Sequence, residues 1–470
     1  MNIKTVMDKR PTKIDGVIHF ISEKINTYEI LPGGKLPSLR VLSKQLGVSI
    51  STVLEAYERM LAEHKIEVRH GSGYFVKNTP YIAIKNTTTF QNIESDPFWV
   101  AHQSLMATEA SLKPCCGWLP TDWLPEAHIK KSLRELLTGP SEVLLSYSSV
   151  LGYTPLREMI AKRISDLGAL MHHDQVLLTD SATQALDMIC RAWLKEGDTV
   201  IVDDPCYFNF FSVINLLGIN VISVPFTPHG PDVSQFLLAM KHSPKLYITN
   251  SGIHNPTGTS IGIGTAHKIL KIAEEHNVLI VEDDVYSDFE RVPTPRYALL
   301  SDFEQVIQIS SFSKSLSASF RCGYIVAKPE YIEILAKIKI ASNFNSSQLN
   351  AVLVHNTLKD AQYRRYLEYM QHRLNDARHY TVHQLKGLGI EPWVIPKSGM
   401  FLWCELPVGI SANALAKSCR EDHLILVAGT VFSQAKSADQ FIRFNVSHCL
   451  DQRIFDLLKK HMMRLKGRLV

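Results

Sequence analysis

Ser310-Ser311-Phe312-Ser313-Lys314-Ser315-Leu316-Ser317-Ala318-Ser319-Phe320-Arg321 places one lysine inside a dense run of hydroxyls, with an arginine seven residues further on. The run follows Val306-Ile307-Gln308-Ile309, a short apolar segment that reads as a β-strand. A lysine in this setting can form an imine with an aldehyde cofactor. Hydroxyls and an arginine can hold a phosphate, the arginine through a bidentate fork. An aldehyde and a phosphate on one small molecule describe pyridoxal 5'-phosphate (PLP). Taken alone, the stretch reads equally well as a Ser-rich loop with a solvated lysine, so the rest of the chain decides.

Strand and helix patterns alternate over roughly the last 300 residues, which predicts an α/β domain with a mostly parallel sheet. Ligands of such sheets gather beyond the carboxyl ends of the strands. Four further strand ends carry suitable residues. Val176-Leu177-Leu178 runs into Thr179-Asp180-Ser181-Ala182-Thr183, where a helix begins. Its free N–H groups suit a phosphate, and a plain helix cap is the other reading. Thr199-Val200-Ile201-Val202 ends in Asp203-Asp204-Pro205-Cys206-Tyr207. Tyr207 reads as a ring-stacking aromatic or as a core residue. Leu246-Tyr247-Ile248-Thr249 leads to His254-Asn255-Pro256-Thr257-Gly258, a turn signature whose Asn255 amide can also donate to a phenolate oxygen. Val278-Leu279-Ile280-Val281 ends in Glu282-Asp283-Asp284. Three acids closing an apolar strand are costly unless something pairs with them. A protonated pyridine nitrogen is one such partner, and a metal is the competing one.

A chain of 470 residues predicts two or three domains. With 45% apolar and 20% charged residues it has the composition of a soluble globular protein. No apolar run approaches the roughly 18 residues of a membrane span, and the first residues lack the apolar core of a signal peptide. The expected location is the cytoplasm, with no membrane partner. The eight cysteines include no CxxC pair, so neither a zinc site nor a disulfide framework is indicated. Cys206 and Cys322 read as small apolar fillers rather than nucleophiles. The net charge of +4 sits mainly in residues 1–76, which hold 11 Lys/Arg against 8 Asp/Glu. That excess is compatible with nucleic acid.

Residues 13–29 read as an amphipathic helix, with Ile14, Val17, Ile18, Ile21 and Ile25 on one face. Leu39, Leu42 and Leu46 carry a second helix that Gly47 breaks, and Ser49 can cap a third beginning near Ile50. Residues 66–76 read as a β-hairpin with a Gly-rich turn. Three helices and a hairpin make a small α+β winged helix-turn-helix. The expected organisation is therefore multidomain. A winged helix occupies residues 1–77, a linker 78–107 and the PLP-binding domain 108–470. The last divides into a large part of about 140–340 and a small part of about 341–470.

On these motifs, the region from about 108 to 470 resembles the fold-type I PLP enzymes of the aminotransferase class I/II group. The first 76 residues resemble the GntR family of regulators through Leu36-Pro37-Ser38-Leu39-Arg40, Leu46-Gly47-Val48-Ser49, Thr52-Val53, Ala56-Tyr57 and Gly71-Ser72-Gly73-Tyr74-Phe75-Val76. The two halves together resemble the MocR (PdxR-like) subfamily. The resemblance implies that Lys314 bonds to PLP as the catalytic lysine. Asp283 would pair with the pyridine nitrogen, Tyr286 and Asn255 with the phenolic oxygen, and Tyr207 would stack on the ring. Ser181, Ala182, Thr183, Ser311, Ser313 and Arg321 would cradle the phosphate. Arg443, in Phe441-Ile442-Arg443-Phe444-Asn445, would take an amino acid's α-carboxylate. In the head, Ser49, Ser51 and Thr52 would lie near bases or phosphates in the major groove, and Ser38 and Arg40 near the backbone or a base. His70, Gly71 and Ser72 would reach the minor groove or its flanking phosphates. Arg40 and Lys44 also read as a solvated helix face. This chain departs from the pattern at Ser181 and His64 (often glycine), Ala318 (often proline) and Ile50 (often arginine). The implied function is a homodimeric, PLP-dependent transcriptional regulator. It would bind an operator in double-stranded DNA and sense PLP or a small amine or amino acid through imine chemistry. The alternative is an aminotransferase with an auxiliary DNA-binding head, and weak transamination fits either. No metal is expected.

Overall fold

The computed structural model describes residues 12–26, 29–30, 33–63, 65–69, 71–77 and 111–467. His64 and His70 lie outside the described residues. The described residues fall into two compact units, one on each side of residues 78–110.

In the N-terminal unit, α1 (Lys13–Asn26), α2 (Leu39–Leu46) and α3 (Ile50–Ala62) precede β1 (Ile66–Arg69) and β2 (Gly73–Val76). The two strands pair antiparallel, with Ile66 opposite Val76. The helical spacing of Val17, Ile21, Leu42, Val53, Ala56, Tyr57 and Met60 buries them in one core with Ile66 and Val76. The Tyr57 hydroxyl donates to the Pro37 carbonyl at 2.9 Å, which ties α3 to the segment before α2. Ser38 caps α2 by accepting from the Val41 N–H at 3.4 Å, and Ser49 caps α3 by accepting from the Thr52 N–H at 3.1 Å. Gly47, at φ 63°, ends α2 in the left-handed conformation that glycine adopts without penalty.

In the second unit, β3 (Val176–Thr179), β4 (Thr199–Asp204), β5 (Asn220–Thr227), β6 (Gly230–Pro231), β7 (Leu246–Thr249), β8 (Leu279–Asp283), β9 (Val306–Ser311) and β10 (Gly323–Val326) form one sheet. Their order is β3-β10-β9-β8-β7-β4-β5-β6. β4, β5, β7, β8 and β9 are mutually parallel. β10 runs antiparallel to both β3 and β9, so β3 points the same way as the parallel set. Alternate strand residues enter different cores. Val176, Leu178 and Ile280 pack on one face, and Leu177, Leu279 and Val281 on the other. Burial on both faces explains why these strands read as unbroken apolar runs.

A smaller layer holds β11 (Glu391–Pro392), β12 (Phe401–Glu405) and β13 (Phe441–Asn445) in an antiparallel sheet. Its core also takes in Cys115, Leu119 and Trp123 from far earlier in the chain. The backbone of Leu112 fixes that segment, donating to His423 at 3.0 Å and accepting from Ile425 at 2.9 Å. Among the described residues, no helix is long and apolar enough to cross a membrane.

The Ser49 cap sets the start of α3. Ser49→Ala should lower the opening free energy of α3 by about 1 kcal/mol, read by hydrogen exchange over residues 49–62. Unchanged exchange in that variant would show that the cap does not hold the helix.

Candidate functional site

The carboxyl ends of β3, β4, β8 and β9 border one cavity of about 440 Å³. Its walls include Ser181, Ala182, Thr183, Tyr207, Asp283, Tyr286, Ser311, Ser313, Lys314 and Arg321. Asn255 sits behind this wall, buried, with its Nδ2 donating to the Tyr286 hydroxyl at 3.3 Å. The eleven residues expected around the cofactor are thus brought together from five loops.

The pleat of β8 sends its three acids apart. The Glu282 carboxylate accepts from the backbone N–H groups of Tyr297 at 2.8 Å and Ala298 at 3.0 Å, and from the Ser251 hydroxyl. Asp284 pairs with Arg296 at 2.8 Å. Asp283 alone of the three faces the cavity, where its carboxylate accepts from the Val285 N–H at 3.2 Å. No metal cluster forms from these acids among the described residues. Among the described residues, the one group of three ligand-type side chains that do converge, His172, His173 and Asp174, lies on another part of the chain.

Burial pushes the Asp283 carboxyl up to about 7, while Lys314 and backbone hydrogen bonding pull it down. Enclosure by protein, with Arg443 nearby, pushes Lys314 down to about 8, and Asp283 opposes that shift. A lysine so shifted is uncharged far more often than one in water, which is the form that attacks a carbonyl carbon. Its Nζ donates to the Gly117 carbonyl at 2.8 Å. Burial likewise raises the Tyr207 hydroxyl to about 12, so it stays a neutral phenol beside the cavity.

At the other end, Ser181 caps the helix Ala182–Trp193 by accepting from the Gln184 N–H at 3.0 Å. The first N–H groups of such a helix are free for an anion. Ser181 therefore serves as a cap. Gly323 lets β10 press against this turn. A Cβ there would lie 2.7 Å from the Ser181 carbonyl carbon and 2.9 Å from the Ala182 nitrogen. Ser317 and Ser319 add hydroxyls to the same wall, and Ser317 caps the short turn containing Ala318 by accepting from the Ser319 N–H at 3.2 Å.

Arg443 lies on β13 between the Phe401 and Phe432 rings, 4.5 and 4.6 Å from their centroids. Its Nη1 donates to Asn255 Oδ1 at 2.8 Å and its Nη2 to the Cys115 carbonyl at 2.6 Å. It is buried, and its Nε has no partner among the described residues. Gly117, whose carbonyl accepts from Lys314, and Trp118, in the cavity wall, border the site at positions that the sequence pattern does not reveal. Their segment has no periodicity, and Gly117 stands 197 residues from Lys314. Cys206 and Cys322 are buried thiols whose pKa values burial raises, which fits fillers rather than nucleophiles.

In the N-terminal unit, Ser49 Oγ lies 2.8 Å from both Ser51 Oγ and Thr52 Oγ1 at the start of α3. Arg40 and Lys44 are exposed on α2 and form no ion pair among the described residues. Gly71 and Ser72 are exposed at the hairpin tip, with Gly71 at φ 72°. Ser38 is exposed at the α2 cap, and His70 falls outside the described residues.

The donor set fits PLP. A buried carboxylate awaits a cationic ring nitrogen, an enclosed lysine an aldehyde, and a helix start ringed by hydroxyls and an arginine a phosphate. The fold and this site define a PLP-binding domain of fold type I behind a winged helix-turn-helix. Residues 120–460 match the family model for aminotransferase class I and II, and the chain belongs to that family. Residues 13–76 match the model for bacterial regulatory proteins of the gntR family. A GntR helix-turn-helix domain joined to an aminotransferase class I/II domain is the MocR-like architecture. The chain is 27% identical to the uncharacterized HTH-type transcriptional regulator YdfD of Bacillus subtilis, over 96% of each chain. It is 27% identical to the HTH-type transcriptional regulator NorG of Staphylococcus aureus, over 91% of this chain and all of that one. Among solved structures it is similar to LysN, the alpha-aminoadipate aminotransferase of Thermus thermophilus, solved with N-(5'-phosphopyridoxyl)-L-leucine. That likeness has a TM-score of 0.70 and 27% identity over 79% of this chain and 95% of that one.

The Asp283 shift has a defined pH signature without cofactor. The unfolded carboxyl titrates near 4, so between about pH 4 and 7 the native state holds a proton that the unfolded state has lost. Stability falls as pH rises through that window. Asp283→Asn should match wild type near pH 4 and exceed it by about 1–4 kcal/mol at pH 8, measured by urea unfolding of cofactor-free protein. Equal stability at both pH values would contradict the enclosure of this carboxyl.

Proposed function

We propose that this protein is a DNA-binding transcriptional regulator. Its aminotransferase-like domain binds PLP and reports the presence of PLP, or of an amino compound that reacts with it, to the head. The observation that carries this reading is the pairing of Lys314 and Asp283 in one hydroxyl-lined cavity, in a chain that begins with a GntR-type helix-turn-helix. When bound, PLP supplies the aldehyde carbon and the electron-withdrawing ring. The protein residues do the rest. Asp283 holds the ring nitrogen's proton, and Tyr286 and Asn255 orient the phenolic oxygen. Tyr207 covers the ring face. Ser181, Ala182, Thr183, Ser311, Ser313 and Arg321 take the phosphate. Arg443 takes a carboxylate by giving up the Cys115 carbonyl, the stronger charged partner replacing the neutral one.

In the head, α3 suits the major groove, with Ser49, Ser51 and Thr52 at its leading end. Ser38 and Arg40 at the start of α2 and Gly71 and Ser72 at the hairpin tip supply backbone contacts. Ile50 is 47% exposed at the same helix start, where it offers an apolar contact in place of an arginine fork. Residues 78–107 serve as the linker between residues 1–77 and 108–470. A homodimer would present two heads to two half-sites. Supporting it, Leu137, Leu145, Tyr147 and Phe344 are more than half exposed, and the Tyr147 and Phe344 rings meet edge-on at 5.8 Å. The cytoplasm is the compartment in which such a regulator meets its operator.

A second reading, an aminotransferase with an auxiliary head, is favoured by the full set of groups for imine exchange. Turnover on the order of 10 per second with some amino donor and keto acid would favour that reading. The regulator reading predicts far slower turnover. It also predicts preferential binding to the promoter region upstream of the protein's own gene, with affinity falling steeply as salt rises. No preference over random DNA would overturn it. For the cofactor, Lys314→Ala should lose the visible absorption band that PLP gives with wild type, and survival of the band would displace Lys314 from its role.

A further inference from the structure

Residues 115–118 form a short strap beside the cavity, and Trp118 is part of the cavity wall. Four successive carbonyls of this strap each accept from a side chain far along the chain. Lys314 Nζ donates to Gly117 at 2.8 Å, and Arg443 Nη2 to Cys115 at 2.6 Å. Asn445 Nδ2 donates to both Cys116 and Trp118, at 2.8 Å each. His448 Nε2 lies 3.0 Å from the Trp118 carbonyl as well. A loop without a strand partner must find donors for its buried carbonyls, and here they come from side chains.

These donors differ in kind. Lys314 and Arg443 are the groups through which the site would hold its ligands. Asn445 is not. It is buried, and its Oδ1 is committed to the Ser447 N–H at 3.1 Å and hydroxyl at 2.7 Å. Ligands therefore compete with the strap for two of its anchors and leave the Asn445 anchor in place. Lys314, on bonding to an aldehyde carbon, gives up both hydrogens of its neutral amine as water with the aldehyde oxygen. It keeps no N–H for Gly117. Arg443, on forking a carboxylate, turns its Nη2 from Cys115.

We propose that Cys115–Trp118 is the element that reads the occupancy of the site, and that Asn445 is its positioning residue. PLP frees the Lys314 anchor; an amine bearing a carboxylate, on taking the imine carbon over, returns the Lys314 amine to Gly117 and frees the Arg443 anchor instead. The strap follows directly on the Leu112 pairing with His423 and Ile425, and the chain before Leu112 continues in sequence, through residues 78–110, to the DNA-binding head. Loosening of the strap would reach the head through that fixed point. This rests on the PLP-binding function proposed for the site, and it names how that function is regulated.

Hydrogen exchange of the full-length protein tests it over residues 111–119. Three samples are compared: no ligand, PLP, and pyridoxine 5'-phosphate, which carries the phosphate but no aldehyde. PLP should speed exchange of the strap by about fivefold, the scale of one lost hydrogen bond from a neutral donor. Pyridoxine 5'-phosphate should leave it unchanged. Asn445→Asp keeps the shape but loses both donors. It should exchange fast in the strap without ligand, retain the visible PLP band, and lose most of the PLP-induced change in promoter affinity. If that variant does not fold, the two ligands on wild type decide alone. A PLP band on wild type with strap exchange unchanged or slowed overturns the strap and leaves the cofactor reading intact. Absence of the band overturns both.

Discussion

A carboxylate and an amine share one enclosed cavity, and enclosure shifts both away from the charge state they hold in water. Protein around Asp283 pushes its pKa up to about 7, and protein around Lys314 pushes it down to about 8. Uncompensated groups of this sort weaken a fold, and they persist where a ligand completes them. The surrounding architecture serves this pair. β8 delivers Asp283 at its carboxyl end while turning Glu282 and Asp284 to partners elsewhere. β9 delivers the lysine loop next to it, and Gly323 lets β10 close against the start of the helix Ala182–Trp193.

Much of this is legible in the sequence for a physical reason. Strands buried on both faces read as short apolar runs, and the polar residues that interrupt them mark the strand ends where ligands gather. Lys314, Asp283 and the Ser181 turn could be located this way, and the α3 cap Ser49 from the helix-start pattern; the Ser38 cap of α2 came only from the structure. Other features depend on contacts between distant parts of the chain. Gly117 and Trp118 belong to an aperiodic stretch, and their donors Lys314 and Asn445 stand 197 and 327 residues away. The antiparallel placement of β10 between β3 and β9 leaves no local mark except the glycine at its start. Arg443 was visible as a candidate carboxylate ligand, but its engagement with Cys115 and Asn255 was not.

In the proposed reading, the same groups that would serve turnover would serve sensing, because both need the Lys314 amine beside an anchored phosphate. What distinguishes a sensor is that occupancy alters something beyond the site. A ligand shifts a two-state protein only by its difference in affinity for the two states. Here that difference has a physical seat in the anchors that the ligand's aldehyde and carboxylate take from the strap. In the proposed reading, the winged helix would supply the output.

The central claim is that the chemical state of Lys314 governs DNA binding. The most direct measurement is the dissociation constant for the promoter fragment at fixed salt, with and without PLP, in wild type and in Lys314→Ala. The account predicts a shift of about fivefold or more with PLP in wild type, the scale of ordinary allosteric coupling, and none in the variant. An equal shift in both proteins, or none in wild type that has visibly bound PLP, would contradict it.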